Sequence, residues 1–256
     1  MNWKTFFALL SRDAHVARRN LLPMLLQNLL QPLLFTFVFG RVMTTSHMIP
    51  ESYKSILLPG VMAISMVLAG VQAVAMPLIT EFQFTREIED RLLAPIDIGW
   101  LAGEKVVAGM IQALFAGLVV IPAAWLLMGS GLKMDFSRPV EFAAVCLLVA
   151  LFSSAGGLAL GCSVGQTQIG LMFSLVLAPM MMFGCAYYPW NALSPFPILK
   201  IAVLANPLVY ASEGLRGALA PVPGQMPMAA VLIALLVIDA LLLVVGLKTF
   251  HRKAVS

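Results

Sequence analysis

Charge is what this sequence has least of. Only 11% of its 256 residues are Asp, Glu, Lys or Arg, under half of the roughly 25% usual in soluble domains. Hydrophobic residues make up 61%. So few charges cannot cover a soluble surface of this size, so the solvent for most of the chain is lipid. Other absences narrow the chemistry. There is no G-x-x-x-x-G-K-[ST] loop, so the chain does not cradle ATP by the usual route. There is no H-E-x-x-H and no G-x-S-x-G, and His15, His47 and His251 are scattered outside the apolar stretches. Cys146, Cys162 and Cys185 stand far apart in apolar segments, without ligand-type spacing, and read as small packing residues. No basic run carries interleaved aromatics, which argues against a nucleic-acid partner. The inverted halves of many secondary transporters are not visible either.

What is present is a series of long apolar stretches bounded by charges. Residues 20–40, 55–80 and 106–132 carry no charge, and each is long enough to cross a bilayer once. Residues 142–199 are a charge-free run of 58, too long for one helix, and Gly165 to Gln168 is the polar place to turn it. The last stretch carries a single charge, Asp239. The expectation is an all-α integral membrane protein, a single domain over 1–256. Its six transmembrane helices lie at about 21–42, 58–80, 106–128, 140–163, 169–188 and 228–247. Residues 1–19 place Trp3, Phe6, Phe7 and Leu10 at helical spacing with Lys4, Arg12 and Arg19 mostly on other faces. That pattern predicts an N-terminal interfacial amphipathic helix. The apolar run Phe6–Leu10 is too short for a cleavable signal.

Loop charge predicts the orientation. Six spans put both termini, the 81–105 loop and the 164–168 turn on one side, with ten of the sixteen Lys and Arg. The positive-inside rule makes that side cytoplasmic. In the 81–105 loop Thr85 suits an N-cap, and Glu87, Glu89 and Asp90 fall in the first turns, where the helix dipole favours anions. Glu87 and Arg91 pair at i,i+4, while Pro95 ends the helix. The loop therefore presents a short charged helix at the cytoplasmic surface, either a solvated connector or a docking element. On the outer side, residues 187–227 are too apolar for a solvated loop, yet prolines interrupt them repeatedly. Such pieces fit a re-entrant helical segment before the last span, on which Glu213 and Arg216 can pair at i,i+3.

These loops resemble those of type-2 ABC exporter permeases, the ABC-2 type family. Pro207, Leu208, Tyr210 and Arg216 match its Pro-Leu-x-Tyr-x5-Arg signature ahead of the last span. Arg86 and Glu87, with Leu92, Leu93 and Pro95, resemble its coupling-helix region, which here covers Thr85, Arg86, Glu87, Ile88, Glu89, Asp90, Arg91, Leu92 and Leu93. Glu89 and Asp90 stand where Gly-Thr is common in that family, and the distance to the proline is shorter. The resemblance implies a homodimer of this chain in the bacterial inner membrane, docked on two copies of a cytoplasmic ABC ATPase subunit. ATP and Mg would then belong to that partner, with no cofactor, metal or catalytic residue on this chain.

The remaining polar residues leave alternatives open. Gln27, Asn28 and Gln31 in the first span, Gln72 in the second and Gln112 in the third either bond neighbouring helices or line a pathway. Asp239 faces protein or water. Tyr187, Tyr188 and Trp190 fit an aromatic belt, with a sugar-stacking platform as the rival use. The reading is a permease subunit exporting an amphipathic substrate: a glycolipid, a lipid-linked saccharide or a hydrophobic drug-like compound. A secondary carrier or channel using Asp239, or a membrane enzyme acting on lipids, are the rivals.

Overall fold

Helices form over the charge-free stretches, and most run past the charges that bound them. The structure, a computed structural model, describes residues 10–12, 21–82, 98–129 and 134–255. The interfacial helix expected over 1–19 and the coupling helix expected over 85–93 lie outside the described residues, apart from a helical fragment at 10–12. Helix α1 (Leu21–Phe37) continues through a π turn at Val38–Val42 into Met43–Thr45. Helices α2 (Tyr53–Thr80), α3 (Ile98–Met128) and α4 (Pro139–Ser163) follow. Helix α5 (Ile169–Met182) contains a second π turn at Phe173–Leu177. Then come α6 (Pro197–Ala202), α7 (Pro207–Leu219) and α8 (Met228–Val255), with no strand among the described residues.

Among the described residues four helices, α2, α3, α4 and α8, are long and apolar enough to cross a membrane. A fifth candidate is the bent pair of α6 and α7, whose arms meet at 98°. Three charges thought to bound the spans instead lie inside helices. Lys54 is buried in the first turn of α2, and Glu104 and Lys105 are buried in α3. Charge bounds a span only when the side chain has to reach water. A long cationic or acidic side chain with a protein partner can stay inside.

Helix α2 is the centre of the bundle: 78% of its most apolar stretch is buried, against 17% for α8. It packs against α3, α4, α7 and α1. Small residues set the distance to α4. A Cβ on Gly157 would stand 2.8 Å from the Val71 carbonyl oxygen, and one on Gly161 would stand 2.9 Å from the Ala75 Cα. This Gly-x-x-x-Gly spacing allows the backbones to approach in lipid, where packing rather than water drives helix association. Helix α8 lies on α4 and α7 and turns Ile233, Leu236, Val237, Leu241 and Val244 outward. An outward face of that kind suits hydrocarbon and not water.

Successive long helices reverse direction. Lys105 at the start of α3 reaches Glu81 beyond the end of α2, and Phe250 near the end of α8 meets Phe82. These contacts define one end of the bundle, the Thr80 end. At the other, the Tyr53 end, Arg41 donates to the Leu127 carbonyl at 3.2 Å, and the Asp135 N–H donates to the Leu219 carbonyl at 2.8 Å.

Candidate functional site

The densest polar assembly in the described chain lies at the Tyr53 end, and the ends of three helices build it. Helix α5 stops at Met182, six residues short of the stretch set out for the fifth span, and the chain from Phe183 to Pro189 is irregular. Two backbone features account for the stop. Cys185 has φ +52°, a left-handed conformation that a side chain rarely adopts, and Gly184 lies so close to Leu208 that a Cβ there would be 2.4 Å from its Cδ2. Irregular backbone frees carbonyl oxygens that lipid cannot satisfy, so such a segment needs donors from protein.

Arg216 supplies them. It sits in the last turn of α7, fully buried, and donates through Nη2 to the carbonyls of Cys185 at 2.9 Å and Ala186 at 3.3 Å. Its Nε donates to the Ile56 carbonyl of α2 at 3.3 Å, and its Nη1 donates to Glu213 Oε1. The planar guanidinium, with five N–H groups in a fixed fork, can serve three carbonyls and a carboxylate at once. Glu213, also fully buried, balances the charge and accepts from the Trp190 N–H at 2.9 Å. One α-helical turn brings residues i and i+3 together, so the pair sits on a single face of α7.

The neighbouring residues complete the enclosure. Gly60 on α2 lets the Ala186 carbonyl approach so closely that a Cβ would lie 1.7 Å from its oxygen. The Tyr53 hydroxyl donates to the Tyr187 carbonyl at 2.6 Å. Asn206 caps α7: its Oδ1 accepts from the Leu208 N–H at 3.0 Å, and its Nδ2 donates to the Met180 carbonyl at 2.7 Å. Pro207 then occupies the first helical position, where a missing N–H costs nothing. Tyr210 donates to the Leu204 carbonyl at 3.0 Å, holding the elbow between α6 and α7. Trp190 donates through Nε1 to the Lys200 carbonyl at 3.1 Å, and the Lys200 ammonium lies 4.2 Å from its ring centroid. The assembly folds α6 and α7 back into the bundle and latches them to α2 and to the chain after α5.

Of the residues singled out in the sequence, the structure brings Glu213, Arg216 and Tyr210 into this assembly, with Leu208 buried beside Gly184. Tyr187 joins Phe35 and Phe39 of α1 in an aromatic cluster, with centroids 5.1 and 6.4 Å away. Gln27 and Asn28 lie in the first half of α1, Gln31 is exposed, and Gln72 and Gln112 are half-buried on α2 and α3. Asp239 is buried on α8, and neither carboxylate oxygen has a hydrogen-bond partner among the described residues. No group of three or more His, Cys, Asp or Glu fit to hold a metal occurs among the described residues. No local pattern in the sequence marks Tyr53 or Gly60 as latch residues, whereas Trp190 stands out there only as an aromatic at the end of the fifth span. Asn206 did carry a signal, an N-cap residue directly ahead of proline.

The family described as ABC-2 type transporter matches residues 4–220. Over 217 residues the chain is 24% identical to the inner membrane transport permease YadH of Escherichia coli strain K12, covering 84% of this chain and 82% of that protein. The protein of the same description in Shigella flexneri gives the same figures.

Proposed function

The chain belongs to the ABC-2 type transporter family, and from that membership we propose that it is the permease subunit of an ATP-driven exporter. Six helices cross the inner membrane, with both termini and the Thr80 end in the cytoplasm and the Tyr53 end outside. The uninterrupted helical backbone from Leu21 to Thr45 supports counting α1 as a span, since about 25 residues at about 1.5 Å each cover a hydrocarbon core of about 30 Å. Helix α5 serves as the fifth span together with the irregular chain after it. The pair α6 and α7 is a re-entrant hairpin that enters and leaves on the outer side.

The observation that carries the reading is this hairpin. Its apolar arms are too short to cross singly and bend back at 98°, and a fully buried Arg216 ties them to α2. An exporter needs its outer end held closed until substrate arrives, and a latched hairpin on that side suits the task. The helix expected at 85–93 is the docking element for a cytoplasmic ABC ATPase. Two copies of that ATPase, carrying ATP and Mg, serve a homodimer of this chain. The substrate is amphipathic, a glycolipid, a lipid-linked saccharide or a hydrophobic drug-like compound.

Affinity purification of the tagged chain from native membranes tests the assignment. It should recover a phosphate-loop ATPase in stoichiometric amount, and the complex should hydrolyse ATP while the chain stripped of that partner does not. Strong ATP hydrolysis by the chain alone, or no ATPase in the purified complex, would overturn it.

A further inference from the structure

The cytoplasmic end holds a second buried charge pair, one that the latch does not use. Lys105 of α3 donates through Nζ to Glu81 Oε1 at 2.9 Å, with both side chains almost wholly buried. Glu81 and Phe82 close α2 in a π turn, and Phe82 meets Phe250 of α8 edge-on at 5.9 Å. The Lys253 ammonium lies 4.9 Å from the Phe82 ring centroid. Beneath them Val74, Leu78, Leu101, Val106, Leu158 and Phe250 form a hydrophobic cluster separate from the main core. The two chain ends that lead into residues 83–97 are therefore rooted in one body made from α2, α3, α4 and α8.

The tip of α2 would otherwise be loosely held. Pro77 has no N–H to give the helix ladder, so the last turn is bound less firmly to the turns before it. A charge-assisted hydrogen bond shielded from water resists separation far more than the same bond in solvent. With Glu81 clamped to α3, a push on the 83–97 segment cannot be spent on bending the tip of α2. It has to move the helix, and the far end of that helix carries Ile56 and Gly60, against which the Arg216 latch closes.

We propose that Glu81 and Lys105 are positioning residues for energy transmission, a strut that makes α2 carry ATPase movement to the outer latch. The inference rests on the exporter reading above, and the test separates the two. A reporter thiol, Ala192→Cys, is placed in the exposed outer turn, since Cys146, Cys162 and Cys185 are all buried. Its rate of labelling by a membrane-impermeant maleimide is measured on the purified complex in proteoliposomes, without nucleotide and with ATP plus vanadate. The unaltered pair should show a nucleotide-dependent change in rate. The neutral pair Glu81→Gln with Lys105→Met removes the charges without stranding one of them, and Lys105→Arg keeps the bond. The neutral pair should retain the ATPase and its hydrolysis but lose about fivefold or more of the nucleotide-dependent change, and Lys105→Arg should keep it. If the unaltered chain recovers no ATPase, the exporter reading fails. If it does, the strut is overturned by an unchanged response in the neutral pair, by loss of the ATPase or of inserted chain in that pair, by a dead response in Lys105→Arg, or by no response with the pair intact.

Discussion

At the scale of single residues, energetics separates two arginines that look alike in the sequence. Arg216 is fully buried and bonds three carbonyls and Glu213, while Arg41 is exposed and makes one bond, to Leu127. Removing one partner of a buried ion pair leaves an uncompensated charge, so Arg216→Ala should cost about 3–5 kcal/mol, and an exposed substitution such as Arg41→Ala about 0.5 kcal/mol or less. Thermal unfolding in detergent should show Arg216→Ala well below the parent and Arg41→Ala beside it. Equal and negligible shifts would mean the pair is solvated. Arg216→Lys should recover little, because a single ammonium cannot reproduce the fork. Asp239 poses the opposite case. Its carboxylate oxygens are buried without a partner among the described residues, so the group costs stability where it stands. Asp239→Leu should raise the unfolding temperature, and a fall of several degrees would reveal a partner. If Asp239→Leu is stable yet abolishes export, the carboxyl is there for transport rather than for folding.

At the scale of elements, the proposed docking helix gives the sharpest prediction. The double reversal Glu87→Arg with Arg91→Glu keeps an i,i+4 attraction in the less favourable order, so helix stability should change by only about 0.2–0.5 kcal/mol. The charge pattern offered to a partner is inverted all the same. Inserted and expressed chain that no longer recovers its ATPase, or no longer exports, is the expected result. Recovery and export at parental levels would return this segment to a solvated connector. The same scale explains why α1 and α5 differ from the rest of the bundle. Each contains a π turn, at Val38–Val42 and Phe173–Leu177, and α5 stands at the edge, meeting α7 only through its last turns. In contrast, α2, α3 and α4 approach through small residues and shared core. The strut and the latch sit at opposite ends of α2, the most buried of the four long helices, which suits it to move as a rod.

At the scale of the whole molecule, orientation is the testable quantity. A cysteine at Ala192 should react with an impermeant maleimide from outside intact cells, and one at Thr167 only after the inner membrane is opened; both positions are exposed. The reverse pattern would invert the topology and, with it, the side on which an ATPase can dock. An even number of crossings between Thr167 and the end of α8 then follows if Lys248 and Arg252 label from the same side as Thr167 when replaced by cysteine.

Composition alone determined that the chain is helical and lives in lipid, because a bilayer leaves each spanning segment only the choice of satisfying its own backbone. The family was legible in Pro207, Leu208, Tyr210 and Arg216, since a signature is a matter of residue identity and spacing. The i,i+3 contact between Glu213 and Arg216 was legible for the same reason, being local to one helical turn. Only the tertiary structure decided what Arg216 is for. Its carbonyl partners stand 160, 31 and 30 residues away in the chain, and no pattern in the sequence encodes separations of that kind. The fate of Lys105 was decided there too. A charge looks like a boundary until a partner from another helix pays its desolvation, and Glu81, 24 residues before Lys105, becomes that partner only when α2 and α3 pack side by side.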